Sequence, residues 1–157
     1  MQNVPARMIA RGFSLVEMVI IIAIGAIALT IVVPVVQAYM EKSRVTQAIQ
    51  EVGDMSTAIR KQAKTTGIVP DSLDAAGLGG KVDPWGRPYE YLNLVTLKGN
   101  GQARKDKKLK PLNSDFDLYS VGLDGLTAAS LVNSKSRDDI VRARDGGFVG
   151  LASDFDP

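Results

Sequence analysis

The chain has 157 residues, which suits one domain of ordinary size. Its 19 Lys and Arg against 17 Asp and Glu leave the formal net charge at +2, which argues against a general nucleic-acid binder. There is no Cys and no His: disulfides, thiol catalysis and cysteine metal sites are excluded, and the commonest general base and zinc ligand are missing.

Residues 1–12, MQNVPARMIARG, are polar to mixed, with Arg7 and Arg11 the only charged side chains. An apolar run follows directly and carries no charged side chain from Met18 to Pro34. A secretory signal has an apolar region of about 7–15 residues followed by a small-residue cleavage site. This run instead reaches the roughly 20 residues that a helix needs to cross a bilayer. Arg7 and Arg11 ahead of it favour a cytoplasmic N-terminus, with the bulk of the chain on the far side. Glu17 stands at the start of the run, where a carboxylate without a partner is costly. In a lone anchor it would snorkel to the membrane interface. Pro34 removes a backbone hydrogen bond and bends the axis, a kink that membrane helices tolerate.

The stretch GFSLVE, residues 12–17, resembles the processing site of the type IV pilin and pseudopilin superfamily. That resemblance implies cleavage after Gly12 by a prepilin peptidase on the cytoplasmic side. Phe13 would then be the N-methylated first residue, and residues 1–12 a removed leader. Glu17 falls on the fifth mature position, where the family has its glutamate. Pro34, 21 residues past Phe13, falls where the family commonly has a proline. In a helical assembly the new α-amine of one subunit would neutralise Glu17 of a neighbour, which gives each buried charge an opposite partner. Glu17 is then an assembly residue, not a catalytic one.

Beyond Pro34 the pattern becomes amphipathic. Val45, Ala48, Ile49, Val52, Met55, Ile59 and Ala63 recur at steps of three or four, with charged and amide residues on the other faces. One helix is expected from about Phe13 to about Thr65, roughly 80 Å at 1.5 Å per residue, with Gly67 and Pro70 past its end. Residues 13–36 form its membrane half and 37–66 its amphipathic half, leaving 67–157 as a globular domain.

Residues 66–88 read as loops and turns, with a short helical turn near Ser72–Ala76. DPWGRPYEYLN, residues 83–93, makes a fixed turn whose Trp85 and Tyr89 can bury large area, followed by a strand from Tyr89 to Leu94. Residues 98–110, KGNGQARKDKKLK, carry six basic side chains and one acidic one and read as a solvated loop. DFDLYSVGLDG, residues 115–125, gives a strand and a turn: Phe116, Leu118 and Ser120 face one way, Asp117, Tyr119 and Val121 the other. Asp115 and Asp117 share spacing with a carboxylate pair for acid–base work, though no nucleophile accompanies them. An extra strand is expected around Phe148–Leu151.

The order Asp83, Pro84, Trp85, Gly86, Pro88, Tyr89, Tyr91 and the later DLYSVGLDG are similar to segments of the G-type major pseudopilins of type II secretion systems. In those proteins the loop after the DLYS strand binds calcium through backbone carbonyls and carboxylates. The matching carboxylates here are Asp124 and Asp139, with Asp138 beside it; Leu118, Val121 and Leu126 are the candidate carbonyl donors. Calcium takes six to eight hard oxygens in tolerant geometry, so a loop can supply the site. On the residues alone, Asp138 serves equally as the cap of a short helical turn at Ile140–Ala143, and Asp145 as a turn residue. Two departures from the family pattern stand out: the longer basic loop at 98–110, and LTAASLVNSKSR between Asp124 and Asp138, where the similarity fades.

The fold implied is α+β and pilin-like, a long N-terminal helix packed on an antiparallel sheet of three or four strands. The function implied is structural: a type IV-like filament subunit, self-associating into a helical filament with other minor pseudopilins. It would be inserted in the inner membrane with its globular domain in the periplasm. An assembly platform and its ATPase would then extract it to drive export of folded proteins. The competing readings are a surface-pilus subunit and, with little in its favour, a membrane-anchored enzyme.

Overall fold

The computed structural model describes residues 12–97, 99 and 101–156. All of the expected leader but Gly12 lies outside the described residues, as do Lys98 and Asn100 of the basic loop. Helix α1 spans Leu15–Thr66. Its start is fixed by Ser14: the Glu17 N–H donates to Ser14 Oγ (3.3 Å), and the Ser14 N–H donates to Glu17 Oε2 (3.2 Å). This is a capping box, which satisfies two otherwise orphaned donors reciprocally. Its end is fixed by Gly67, which takes the left-handed conformation (φ 76°) and returns its N–H to the Ala63 carbonyl at 2.8 Å.

Packing divides the chain after Met40. In the N-terminal unit every described residue is exposed, including the bulky apolar side chains from Leu15 to Met40. By length and composition this segment can cross a membrane. Pro34 lies inside the helix.

In the unit that begins at Glu41, one face of α1 is buried. Ala48, Val52, Met55 and Ile59 are at most 1% exposed, and their spacing of three and four places them on one stripe. They pack against Tyr89, Phe116, Leu118 and Ile140. The sheet has four antiparallel strands in sequence order: β1 (Glu90–Asn93), β2 (Phe116–Ser120), β3 (Ile140–Ala143) and β4 (Phe148–Leu151). Tyr91 faces Leu118, Tyr119 faces Val141, and Val141 faces Gly150 across the pairs. Alternation puts Leu118 and Ile140 in the core beneath the helix and their neighbours Tyr119 and Val141 in a second cluster with Leu112, Leu131 and Phe155.

Two expectations need correction. Ile140–Ala143 is a central strand, not a helical turn. Ile140 and Val141 are β-branched, and pairing on both edges with β2 and β4 outweighs the local capping signal of Asp138. The basic loop is not simply solvated. Ala103, Arg104 and Asp106 are at most 7% exposed; Arg104 and Asn113 both hydrogen-bond Asp117, and Leu112 packs in the second cluster with Tyr119 and Val141. Asp117, expected on the face of β2 opposite Phe116 and Leu118, is accordingly 1% exposed.

Candidate functional site

The residues expected to be processed, Gly12 and Phe13, lie just ahead of α1. Gly12 and Phe13 precede the helix in irregular backbone and are exposed, Phe13 at 68%. Gly12, Phe13 and Ser14 form a short exposed non-helical stretch directly before the first helical turn. In sequence, Glu17 looks like a carboxylate without a local partner. The structure supplies one in the Ser14 N–H, and the S-x-x-E spacing carries that signal. An amine created at Phe13 would stand one residue from this cap.

The DPWG turn is organised by Asp83. Its Oδ1 accepts the Trp85 and Arg87 N–H groups at 3.0 and 2.9 Å, and its Oδ2 accepts the Ser120 hydroxyl. The turn is thereby fastened to the end of β2. The Trp85 indole N–H donates to Glu41, and the Tyr89 hydroxyl donates to Glu51, both on α1. Burial and the Glu51 carboxylate push the Tyr89 phenol well above its ordinary range, so it remains a neutral donor. Tyr91 donates to the Pro70 carbonyl (2.6 Å), and burial pushes its phenol up to about 12.

The candidate calcium ligands are only partly brought together. Leu118 sits inside β2, opposite Tyr91, and Val121, Asp124 and Leu126 follow in the β2–β3 loop. Asp138 Oδ2 accepts the Asp124 N–H (2.9 Å), and Asp124 Oδ1 accepts the Leu126 N–H (2.7 Å). Asp139 points elsewhere. Its fully buried carboxylate accepts Arg104 Nη2 at 2.6 Å and the Thr127 hydroxyl at 2.7 Å, both on Oδ2. Burial pushes its carboxyl above the usual range, opposed by Arg104 and Thr127. Among the described residues no group of three or more acidic side chains converges as metal ligands would. As placed, the donor set does not fit a calcium ion, which needs six to eight oxygens around one point.

Nor do Asp115 and Asp117 form an acid–base pair. Asp115 binds the Arg142 guanidinium with both oxygens, at 2.7 and 2.8 Å. Asp117 accepts the Arg104 N–H (2.7 Å) and the Asn113 amide (2.9 Å). Burial raises the Asp117 carboxyl, while Asn113 and the Arg104 N–H pull it back. The nearby open depression is lined by Leu94, Pro111, Leu112, Asn113, Ser114 and Asp145, not by either carboxylate. Sequence reasoning missed Arg142, a 1% exposed cation that also donates to Ser56 on α1 (2.8 Å) and to the Phe116 carbonyl (2.8 Å). Its signal is a lone arginine in the apolar strand IVRA.

Residues 7–33 match the family model described as the prokaryotic N-terminal methylation motif. The type II secretion system core protein G of Pseudomonas aeruginosa is 29% identical over 140 residues, covering 76% of this chain and 87% of that protein. The type II secretion system core protein G of Xanthomonas campestris pv. campestris is 28% identical over 145 residues, covering 83% and 90%. Fimbrial protein EcpC of Eikenella corrodens is 28% identical over 95 residues, covering 60% of this chain, which spans only 59% of that relative's length. No solved structure matches the chain.

Proposed function

Because the chain belongs to the type IV pilin and pseudopilin superfamily, we propose that it is the G-type major pseudopilin of a type II protein secretion system. One observation carries the reading. Similarity to two core G proteins extends over 76% and 83% of the chain, well beyond the length of the N-terminal helix. Pairing at the membrane segment alone would speak only for the superfamily.

The role is structural, not enzymatic. The subunit is held in the inner membrane by the exposed apolar half of α1, with the sheet unit in the periplasm. The prepilin peptidase cuts after Gly12, and Phe13 becomes the methylated N-terminus. Lipid tails are as apolar as the Ile, Val and Leu side chains of this segment, so burial alone does not drive neighbouring helices together there. Close packing and charge pairing must supply the difference. The Glu17 carboxylate of one subunit and the Phe13 amine of the next provide that pairing, since each charge is costly alone in the membrane. The remaining partners of this reading are minor pseudopilins in the filament and an assembly platform with its ATPase at the inner membrane.

A surface pilus is the second reading, favoured by the similarity to fimbrial protein EcpC. Deleting the gene separates the two. Folded exoproteins trapped in the periplasm, with surface fibres intact, support the secretion filament. Lost fibres with normal secretion support the pilus.

A further inference from the structure

The loop between β2 and β3 is tied down by two arginines that come from outside it. We propose that Arg87 and Arg104 stand in place of a bound calcium ion, so that this subunit folds without calcium. The inference concerns the loop itself and holds whether the filament is a pseudopilus or a pilus.

A carboxylate as buried as Asp139 needs a counter-charge. Arg104 supplies it at 2.6 Å and is itself only 3% exposed. Its other terminal nitrogen donates to Thr127, whose hydroxyl donates on to Asp139, so one guanidinium fastens the middle of the loop to its far end. The planar group also lies 4.2 Å from the centroid of the Tyr119 ring. Arg104 belongs to the basic segment 98–110, so that segment delivers the cation.

Arg87 acts at the near end. It donates to the Gly122 and Leu123 carbonyls, the kind of oxygen that calcium collects. A Cβ at Gly125 would stand 2.7 Å from this guanidinium, so the glycine leaves the space that Arg87 fills. The two arginines carry the charge of one divalent ion, and both form fixed forks that a point cation does not. Asp139 Oδ1 has no hydrogen-bond partner among the described residues, but it is one oxygen, and a divalent ion placed on it would face the neighbouring guanidinium.

The test uses the full chain in mild detergent, with thermal unfolding followed by Trp85 fluorescence in calcium chloride and in EGTA. The two midpoints should coincide, and calorimetric titration with calcium chloride should register no saturable binding. A resident site kept saturated would instead raise the midpoint by roughly 10 °C. Such a rise, or stoichiometric binding lost in Asp124→Asn, would overturn the inference. Arg104→Gln should lower the midpoint by about 10 °C or more by stranding the Asp139 charge, and Asp139→Asn in the same chain should recover most of the loss. If Arg104→Gln does not fold, Arg104→Lys keeps the charge without the fork and should melt between the two. Arg104→Gln melting like the wild type, or Asp139→Asn failing to recover any of its loss, would contradict the assignment.

Discussion

Replacing Arg142 by Met tests how α1 is fastened to the sheet. Arg142 donates from Nε to Ser56 (2.8 Å), from Nη1 to Asp115 and the Phe116 carbonyl (2.7 and 2.8 Å), and from Nη2 to Asp115 (2.8 Å). Its guanidinium also lies 3.9 Å from the Phe116 ring centroid. Methionine fills most of the volume but strands the Asp115 carboxylate and the Phe116 carbonyl. Removing one partner of a buried pair costs about 3–5 kcal/mol. The Asp115 side chain is 26% exposed, so water recovers part of that cost and the expected loss lies at the low end, about 3 kcal/mol. For a unit of this size that is a fall of roughly 10 °C in midpoint. The assay is urea unfolding of the full chain in mild detergent. It follows the single tryptophan, Trp85, which packs against the core beneath α1. Asp115→Asn alone should cost about 2 kcal/mol, and the double variant should fall short of the sum by more than about 1 kcal/mol. A loss below about 1 kcal/mol for Arg142→Met, or strict additivity, would refute the view that this ion pair joins helix to sheet.

Gly122→Ala places a Cβ 2.3 Å from the Asp138 carbonyl oxygen at φ 65°, and should cost more than about 2 kcal/mol in urea unfolding. Gly67→Ala, also left-handed but facing open space, should cost only about 1 kcal/mol in the same measurement. Asp145 in the β3–β4 turn is partly buried, which raises its carboxyl. The Ser114 N–H and hydroxyl, at 2.7 and 2.9 Å, more than offset this and hold it below its ordinary range. A lowered carboxylate contributes stability that is present above its unfolded pKa and is lost as pH falls through the folded one. Asp145→Ala should therefore be less stable than wild type at neutral pH by about 1 kcal/mol or less, given its exposure, and the gap should close in strong acid. Ser14→Ala removes one arm of the capping box, so amide exchange at Glu17 should quicken about tenfold by NMR.

Much of this fold is written in local pattern. The all-round apolar run and the three-four spacing after it define α1, and Gly67 marks its end within two residues. Strands β1, β2 and β4 follow from alternation and from turn residues on either side. The failures share a cause. Ile140–Ala143 is four residues long behind a good capping residue, and only its neighbours on both edges make it a strand. The segment 98–110 looks solvated because its charges are counted without their partners. Arg104 finds Asp139 at a separation of 35 residues, and Arg142 finds Ser56 at 86. Such pairs belong to tertiary packing and leave no periodic trace. The capping box of Ser14 and Glu17 was legible, and it is obscured only by the stronger question of how a carboxylate enters a membrane segment. In the calcium region, resemblance supplied the carboxylates but not the arginine that meets one of them.

In the proposed function, the charge pair at Glu17 and filament growth both depend on one cut, after Gly12. The measurement that tests this most directly is the intact mass of the chain extracted from the inner membrane of cells with an active prepilin peptidase. The expected mass is that of residues 13–157 plus one methyl group, with Phe13 as the N-terminal residue of the sequenced peptide. A chain that keeps residues 1–12, or one cleaved elsewhere, would contradict the account.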